Sequence, residues 1–215
     1  MATRKECGFR WVVVFDLGGV LVRVNLDWGS AMRQAGLIQE AEGLVGVPLD
    51  ACPGFHDHEV GALSDEEYLA ALAEFLGVTP DQARRAHQGI LGEEIQGAEA
   101  LVRDLTAAGV PSVCLSNTNA LHWALLGPDS PYPSVRALDR RFGSHEIGAR
   151  KPDPAAYAAV EREFPGGRFV FFDDSPANAM AARSLGWEAF HVDRADTADP
   201  MRRRLAQLGL LGDPA

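Results

Sequence analysis

The sequence predicts an α/β protein, with a mainly parallel sheet between two helical layers and a small helical cap inserted near the amino end. Three observations carry that prediction. Apolar runs of strand length recur as WVVVF at 11–15, PSVCL at 111–115, RFVFF at 168–172 and EAFHV at 188–192. They are continuous rather than alternating, the pattern of strands buried on both faces. Helical patterns lie between them, such as AEALVRDLTAAG at 98–109 and PANAMAARSLG at 176–186, and strands alternating with helices form βαβ units in a three-layer, Rossmann-like core. The interval 23–95 breaks that rhythm, with helix-compatible segments and no clear buried strand.

Taken in order, the run 11–15 closes on Asp16 and then Gly18-Gly19, a strand ending in a turn. Within the insertion, Ser64 and Glu67 have the spacing of a capping box, and Pro80 suits a first helical position after Thr79. The helix beginning near Pro176 has Asp174 and Ser175 as candidate caps. Arg202, Arg203 and Arg204 fall in the last helix as a solvated basic face. The expected organisation is therefore residues 1–22 and 96–215 as the core and 23–95 as the cap.

A chain of 215 residues with 47% hydrophobic and 23% charged residues has the composition of an ordinary globular protein. Its net charge of −10 repels a nucleic-acid backbone, which argues against that partner. A small phosphorylated ligand would then need local positive charge from a lysine, a metal ion or helix N-termini. Cys7, Cys52 and Cys114 form no C-x-x-C pair and read as free thiols of a reducing cytoplasm. The absence of a signal-like or ~20-residue apolar stretch points to a cytoplasmic protein without membrane contact, expected as a monomer or weak homodimer.

Four polar stations each follow an apolar run or sit in a turn: Asp16, Ser116-Asn117, Lys151 within ARKPDP, and Asp173-Asp174. Three of them belong at the carboxyl ends of parallel strands, where open α/β sheets bind ligands. Converging carboxylates repel unless they share a cation, and oxygen ligands suit Mg²⁺. A carboxylate beside Mg²⁺ and an ammonium group is well placed to attack phosphorus, because both cations screen the approach of two anions. A serine hydroxyl and backbone N–H groups can hold the phosphoryl oxygens.

The motifs FDLGGVL, LSNT, RKPDP and FFDDSPAN, in this order, resemble the four motifs of the haloacid dehalogenase superfamily, across nearly the whole chain. The cap stretch FHDHEVGALSDEEY further resembles the bacterial subgroup that includes α-D-glucose-1-phosphate phosphatase. The resemblance implies a phosphatase of small phosphate monoesters, sugar phosphates among them. In that reading Asp16 is a nucleophile passing through an aspartyl phosphate, Ser116 binds the phosphoryl group, and Lys151 bridges it to the nucleophile. Mg²⁺ is expected on Asp16, the Gly18 carbonyl and Asp174, with Asp173 close by or bound through water.

One departure concerns catalysis. Most phosphatases of that superfamily carry a second aspartate two residues after the nucleophile, and this chain has Gly18 there. A general acid is typically worth ~10²–10⁴-fold, so the chain is expected to favour good leaving groups or to draw its proton from elsewhere. The glucose-1-phosphate phosphatase subgroup has glycine at this position too. His56, His58 and Glu59 in the cap are candidates to replace the acid or bind sugar hydroxyls, and His122 is a candidate near the leaving group. Asn117 and Asn178 are candidates to orient the phosphate or the acid pair. Two alternatives are a metal-free 2-haloacid dehalogenase, against which the paired Asp173-Asp174 argues, and a catalytically impaired module that binds phosphorylated ligands.

Overall fold

The computed structural model describes residues 10–212. In chain order its elements are β1 (Trp11–Phe15), β2 (Val22–Val24), α1 (Trp28–Gln34), α2 (Phe55–Glu59), α3 (Asp65–Leu76), α4 (Pro80–Gln88) and β3 (Leu91–Glu94). They continue with α5 (Ala98–Ala107), β4 (Ser112–Ser116), α6 (Ala120–Leu125), α7 (Pro133–Arg136), β5 (Arg140–Gly143) and α8 (Ser144–Ile147). The chain closes with α9 (Pro154–Glu163), β6 (Arg168–Asp173), α10 (Pro176–Ser184), β7 (Glu188–His191) and α11 (Ala198–Gln207).

Five strands form a sheet in the order β5-β4-β1-β6-β7, with every neighbouring pair parallel. The apolar run at 11–15 is at its centre because it must be buried on both sides. Val13 and Phe15 join one hydrophobic layer with Leu101, Leu105, Met201 and Leu205 of α5 and α11. Val12 and Val14 join the opposite layer with Tyr157 and Val160 of α9 and Ala179 and Ala182 of α10. Alternation along one strand thus supplies both layers, and each fully buried Val or Phe contributes roughly 1.5–3 kcal/mol.

A third hydrophobic cluster is built by α1, α3 and α4 around Trp28, Met32, Tyr68, Leu72 and Ala86. The Ser64–Glu67 capping box is present in both directions, and Gly77 closes α3 in the left-handed conformation at φ 68. Pro80 begins α4 behind a second capping box, Thr79–Gln82.

The insertion is not wholly helical. β2 and β3 pair antiparallel at its two ends, so the interval read as strand-free begins and finishes in a short ribbon. Their sequences, VRV and LGEE, are too short and too polar to show an apolar run. β5, with sequence RRFG and two arginines, is likewise invisible as a buried strand, because it is the sheet's edge and its outer side faces solvent.

Candidate active site

Parallel pairing in register decides where the acids meet. Phe15 of β1 lies beside Phe172 of β6, and the Asp16 N–H donates to the Phe172 carbonyl at 2.8 Å. Asp16 and Asp173 therefore emerge side by side at the carboxyl edge of the sheet. The neighbouring Leu17 N–H donates to Asp16 Oδ1 at 2.7 Å. Ser116 ends β4 on the other side of β1.

Lys151 arrives from the loop before α9 and is 1% exposed. Its Nζ is 3.0 Å from Asp16 Oδ1 and 2.7 Å from Asp173 Oδ2. The loop is pinned by Asn117, whose Nδ2 donates to the Lys151 carbonyl at 2.9 Å and whose Oδ1 accepts from the Lys151 N–H at 2.8 Å. Although burial alone favours the neutral amine, Asp16 and Asp173 outweigh it, raise the Lys151 pKa and keep the ammonium charged. Burial, helped by the charges of Asp173 and Asp174 and opposed by the pull of Lys151, lifts the Asp16 carboxyl to about 7.

Asp16, Asp173 and Asp174 each offer an oxygen within 4.8 Å of the others. The donors around Asp173 distinguish it from its neighbour. Its Oδ1 accepts from the Ser175 N–H at 2.8 Å, its Oδ2 accepts from Lys151, and Asn178 Nδ2 reaches both oxygens at 3.1 and 3.2 Å. Asp174 Oδ2 pairs with Arg194 Nε, whereas Asp174 Oδ1 and Asp16 Oδ2 receive no hydrogen bond from the described residues. Burial raises the Asp174 pKa, opposed by Arg194. Ser175, not Asp174, caps α10.

The turn after Asp16 requires its second glycine. Gly19 sits at φ 76, and a Cβ there would collide with Asp174 Oδ2 and lie 2.9 Å from Arg194 Nε. Gly18 differs, because a Cβ there meets only Val24 Cγ1 at 3.2 Å and Val24 Cγ2 at 3.7 Å.

These groups open onto a cavity of about 450 Å³ between the sheet edge and the insertion, lined by Asp16, Gly18, Ser116, Asn117 and Asp174. His56 of α2 joins the lining, and its Nδ1 is 3.1 Å from Glu59 Oε2. Arg150 Nε is 3.0 Å from the same Glu59 oxygen, so the residue before Lys151 ties the sheet edge to α2. His58 does not reach the cavity. It is 2% exposed, 2.7 Å from Asp65 Oδ1 through Nε2 and stacked on Tyr68, because two residues along α2 turn a side chain about 200° away from His56. Asn178 holds Asp173 rather than lining the cavity. Cys52 and Cys114 are buried free thiols, and Cys7 lies outside the described residues. No helix among the described residues is long and apolar enough to cross a membrane.

Arg194 and Arg150 escaped the sequence reading. Arg194 sits in DRAD after β7, where nothing marks it as more than a loop charge. Arg150 was visible within ARKPDP, but its partner Glu59 is 91 positions away.

A carboxylate triad and a buried ammonium at the carboxyl edge of a parallel sheet define a hydrolase-type centre on a doubly wound core. The family model for haloacid dehalogenase-like hydrolases matches residues 12–186. A phosphatase of Mycobacterium tuberculosis is 31% identical over 94% of this chain and 97% of its own length. The chain belongs to the haloacid dehalogenase-like hydrolase family. Among solved structures, a family hydrolase of Porphyromonas gingivalis matches with TM-score 0.75 and 27% identity over 93% of this chain and 99% of its own. A family enzyme of Bacteroides thetaiotaomicron, solved with magnesium and inorganic phosphate, matches with TM-score 0.72 and 22% identity over 90% of this chain and 99% of its own. At that identity the second likeness concerns the fold.

Proposed function

We propose that this hydrolase cleaves small phosphate monoesters, sugar phosphates among them, through an aspartyl phosphate on Asp16, with Mg²⁺ as cofactor. The observation that carries the reading is the single ammonium of Lys151 set between Asp16 and Asp173, with a third acid, Asp174, beside them. That the M. tuberculosis relative is a phosphatase supports cleavage of a phosphate ester.

The donor set fits a hard divalent cation. Asp16 Oδ2 and Asp174 Oδ1 have no protein donors among the described residues, so these two carboxylates and the Gly18 carbonyl are the proposed ligands, with Asp173 held back by Lys151, Ser175 and Asn178. The bound ion supplies charge neutralisation of the phosphoryl oxygens. Asp16 attacks phosphorus as its carboxylate, Lys151 screens the approach of the two anions, and the Ser116 hydroxyl donates to a phosphoryl oxygen. Asn117 lines the cavity, but its two bonds to the Lys151 backbone give it a positioning role.

Residues 23–95 serve as the cap and the remainder as the catalytic core, with β2 and β3 as the neck. His56 lines the substrate cavity from the cap, together with Asp50, Phe55 and Glu59. With Gly18 in place of an acid, leaving groups that need little protonation are cleaved fastest.

The test is phosphate release from a panel of sugar phosphates and one activated aryl phosphate, with Mg²⁺ and with chelator. Magnesium-dependent release that disappears in Asp16→Asn supports the reading. No release from any ester, the activated one included, overturns it.

A further inference from the structure

Three histidines outside the acid cluster are buried between the insertion and the sheet edge: His58, His87 and His122. Tyr68 and Asn119 join His87 and His122 in one hydrogen-bonded chain, whereas His58 only stacks on Tyr68. Their protonation follows from their partners. The Asn119 Oδ1 already accepts the His122 N–H at 3.0 Å, so its 3.1 Å contact with His87 Nε2 places a proton on that nitrogen. His87 Nδ1 is then bare and accepts from Tyr68 Oη at 3.2 Å. His122 Nε2 lies 2.8 Å from the His87 carbonyl, which only accepts, so Nε2 carries its proton.

The two rings stack at 4.1 Å and 8°, which fixes the plane of His122 as well as its tautomer. What remains is Nδ1 of His122. It has no hydrogen-bond partner among the described residues, the residue is 6% exposed, and it forms part of the cavity wall with Asn119. Burial holds the ring neutral, with its pKa lowered to about 4, so Nδ1 is a lone pair and not a donor at neutral pH. The same burial disfavours a cationic ring.

We propose that His122 Nδ1 is the specificity contact that accepts a hydrogen bond from a hydroxyl of the leaving group, selecting polyhydroxylated alcohols over apolar ones. The inference rests on the phosphatase reading and deepens it. A bare acceptor held rigid in a cavity favours a ligand that brings a donor, because an apolar leaving group desolvates it with no replacement bond.

The experiment compares kcat/KM for glucose 1-phosphate, glycerol 1-phosphate and phenyl phosphate in the wild type and two variants. His122→Gln can keep the donation to the His87 carbonyl while removing the acceptor at the Nδ1 position. His122→Asn can keep an acceptor there and drop the other bond. The expected result is that Gln lowers the ratio of hydroxylated to phenyl substrate about tenfold, carried by KM, and that Asn lowers it much less. Nitrogen-15 NMR of the folded wild type with glucose and inorganic phosphate should move the His122 Nδ1 resonance toward that of a hydrogen-bonded nitrogen. An unchanged ratio in His122→Gln with phenyl phosphate still hydrolysed, or an unmoved Nδ1 resonance at saturating glucose, overturns the assignment alone. A wild type that hydrolyses none of the three esters overturns it together with the phosphatase reading.

Discussion

Replacing Lys151 by Met tests the electrostatic core of the site. The methionine keeps most of the aliphatic stem and its packing near the Phe171 ring, over which the ammonium sits at 5.3 Å, so the change is chiefly one of charge. Each carboxylate lies about 3 Å from Nζ, which at an effective dielectric near 20 corresponds to an attraction of ~5 kcal/mol apiece before desolvation. Burying the ammonium offsets much of that sum, and removing one partner of a buried ion pair costs ~3–5 kcal/mol in practice. Urea denaturation at pH 7 in chelator should show a loss of that size. The loss should also depend on pH. Asp16 already stands at about 7 in the folded wild type, and without the ammonium its folded-state pKa rises further. Both proteins therefore lose stability alike as pH rises from the unfolded pKa of about 4 to about 7, and above that the variant falls behind, by up to ~1.4 kcal/mol per unit. A deficit under ~1 kcal/mol at pH 7, or one no larger at pH 8.5 than at pH 6.5, would refute the reasoning.

Other perturbations have equally definite outcomes. Gly19→Ala places a Cβ at positive φ against Asp174 Oδ2, so thermal unfolding should show a loss of at least ~1–2 kcal/mol, and titration calorimetry weakened Mg²⁺ binding. In Gly18→Asp the added Cβ meets only the Val24 side chain. It should change stability by less than ~1 kcal/mol while raising kcat most for substrates with poor leaving groups. Acid should destabilise the protein through the histidines. His122 titrates at about 4 and His87 well below its usual value in the folded state, so the unfolded chain binds more protons below pH ~6.5. Stability then falls with acidification by up to ~1.4 kcal/mol per unit per histidine down to the folded pKa. His122→Gln should flatten that slope in denaturation curves between pH 7 and pH 5.

The parts of the molecule legible in the sequence are those whose physics is local. The central strand announced itself because burial on both faces demands unbroken apolar residues, and Val12 through Phe15 supply them. Asp16, Ser116 and Asp173 were legible because they terminate such runs, and parallel pairing sends all such ends to one edge. The Ser64 box was legible from two residues three apart. What stayed hidden depends on contacts between distant segments. β2, β3 and β5 are edges or short ribbons whose polar residues carry no strand pattern. The different fates of His56 and His58, two positions apart, follow from the rotation of α2 against Tyr68, which no spacing reveals. The pairing of Arg194 with Asp174 joins a loop after β7 to the end of β6. Asn117 was legible as a polar residue of the site, yet its work on the Lys151 backbone is visible only when the two loops are seen together.

The central claim is covalent catalysis by Asp16 on phosphorus. The most direct measurement is a single turnover of an aryl phosphate with Mg²⁺ in oxygen-18 water, acid-quenched and followed by mass spectrometry of the Asp16 peptide and of the released phosphate. The account predicts a transient phosphoryl adduct on Asp16 and the heavy oxygen in the released phosphate, because water attacks the phosphorus of the aspartyl phosphate. Phosphate released with no adduct at any quench time, or the heavy oxygen in the Asp16 carboxylate, where ester hydrolysis at carbon of the dehalogenase kind would put it, would contradict it.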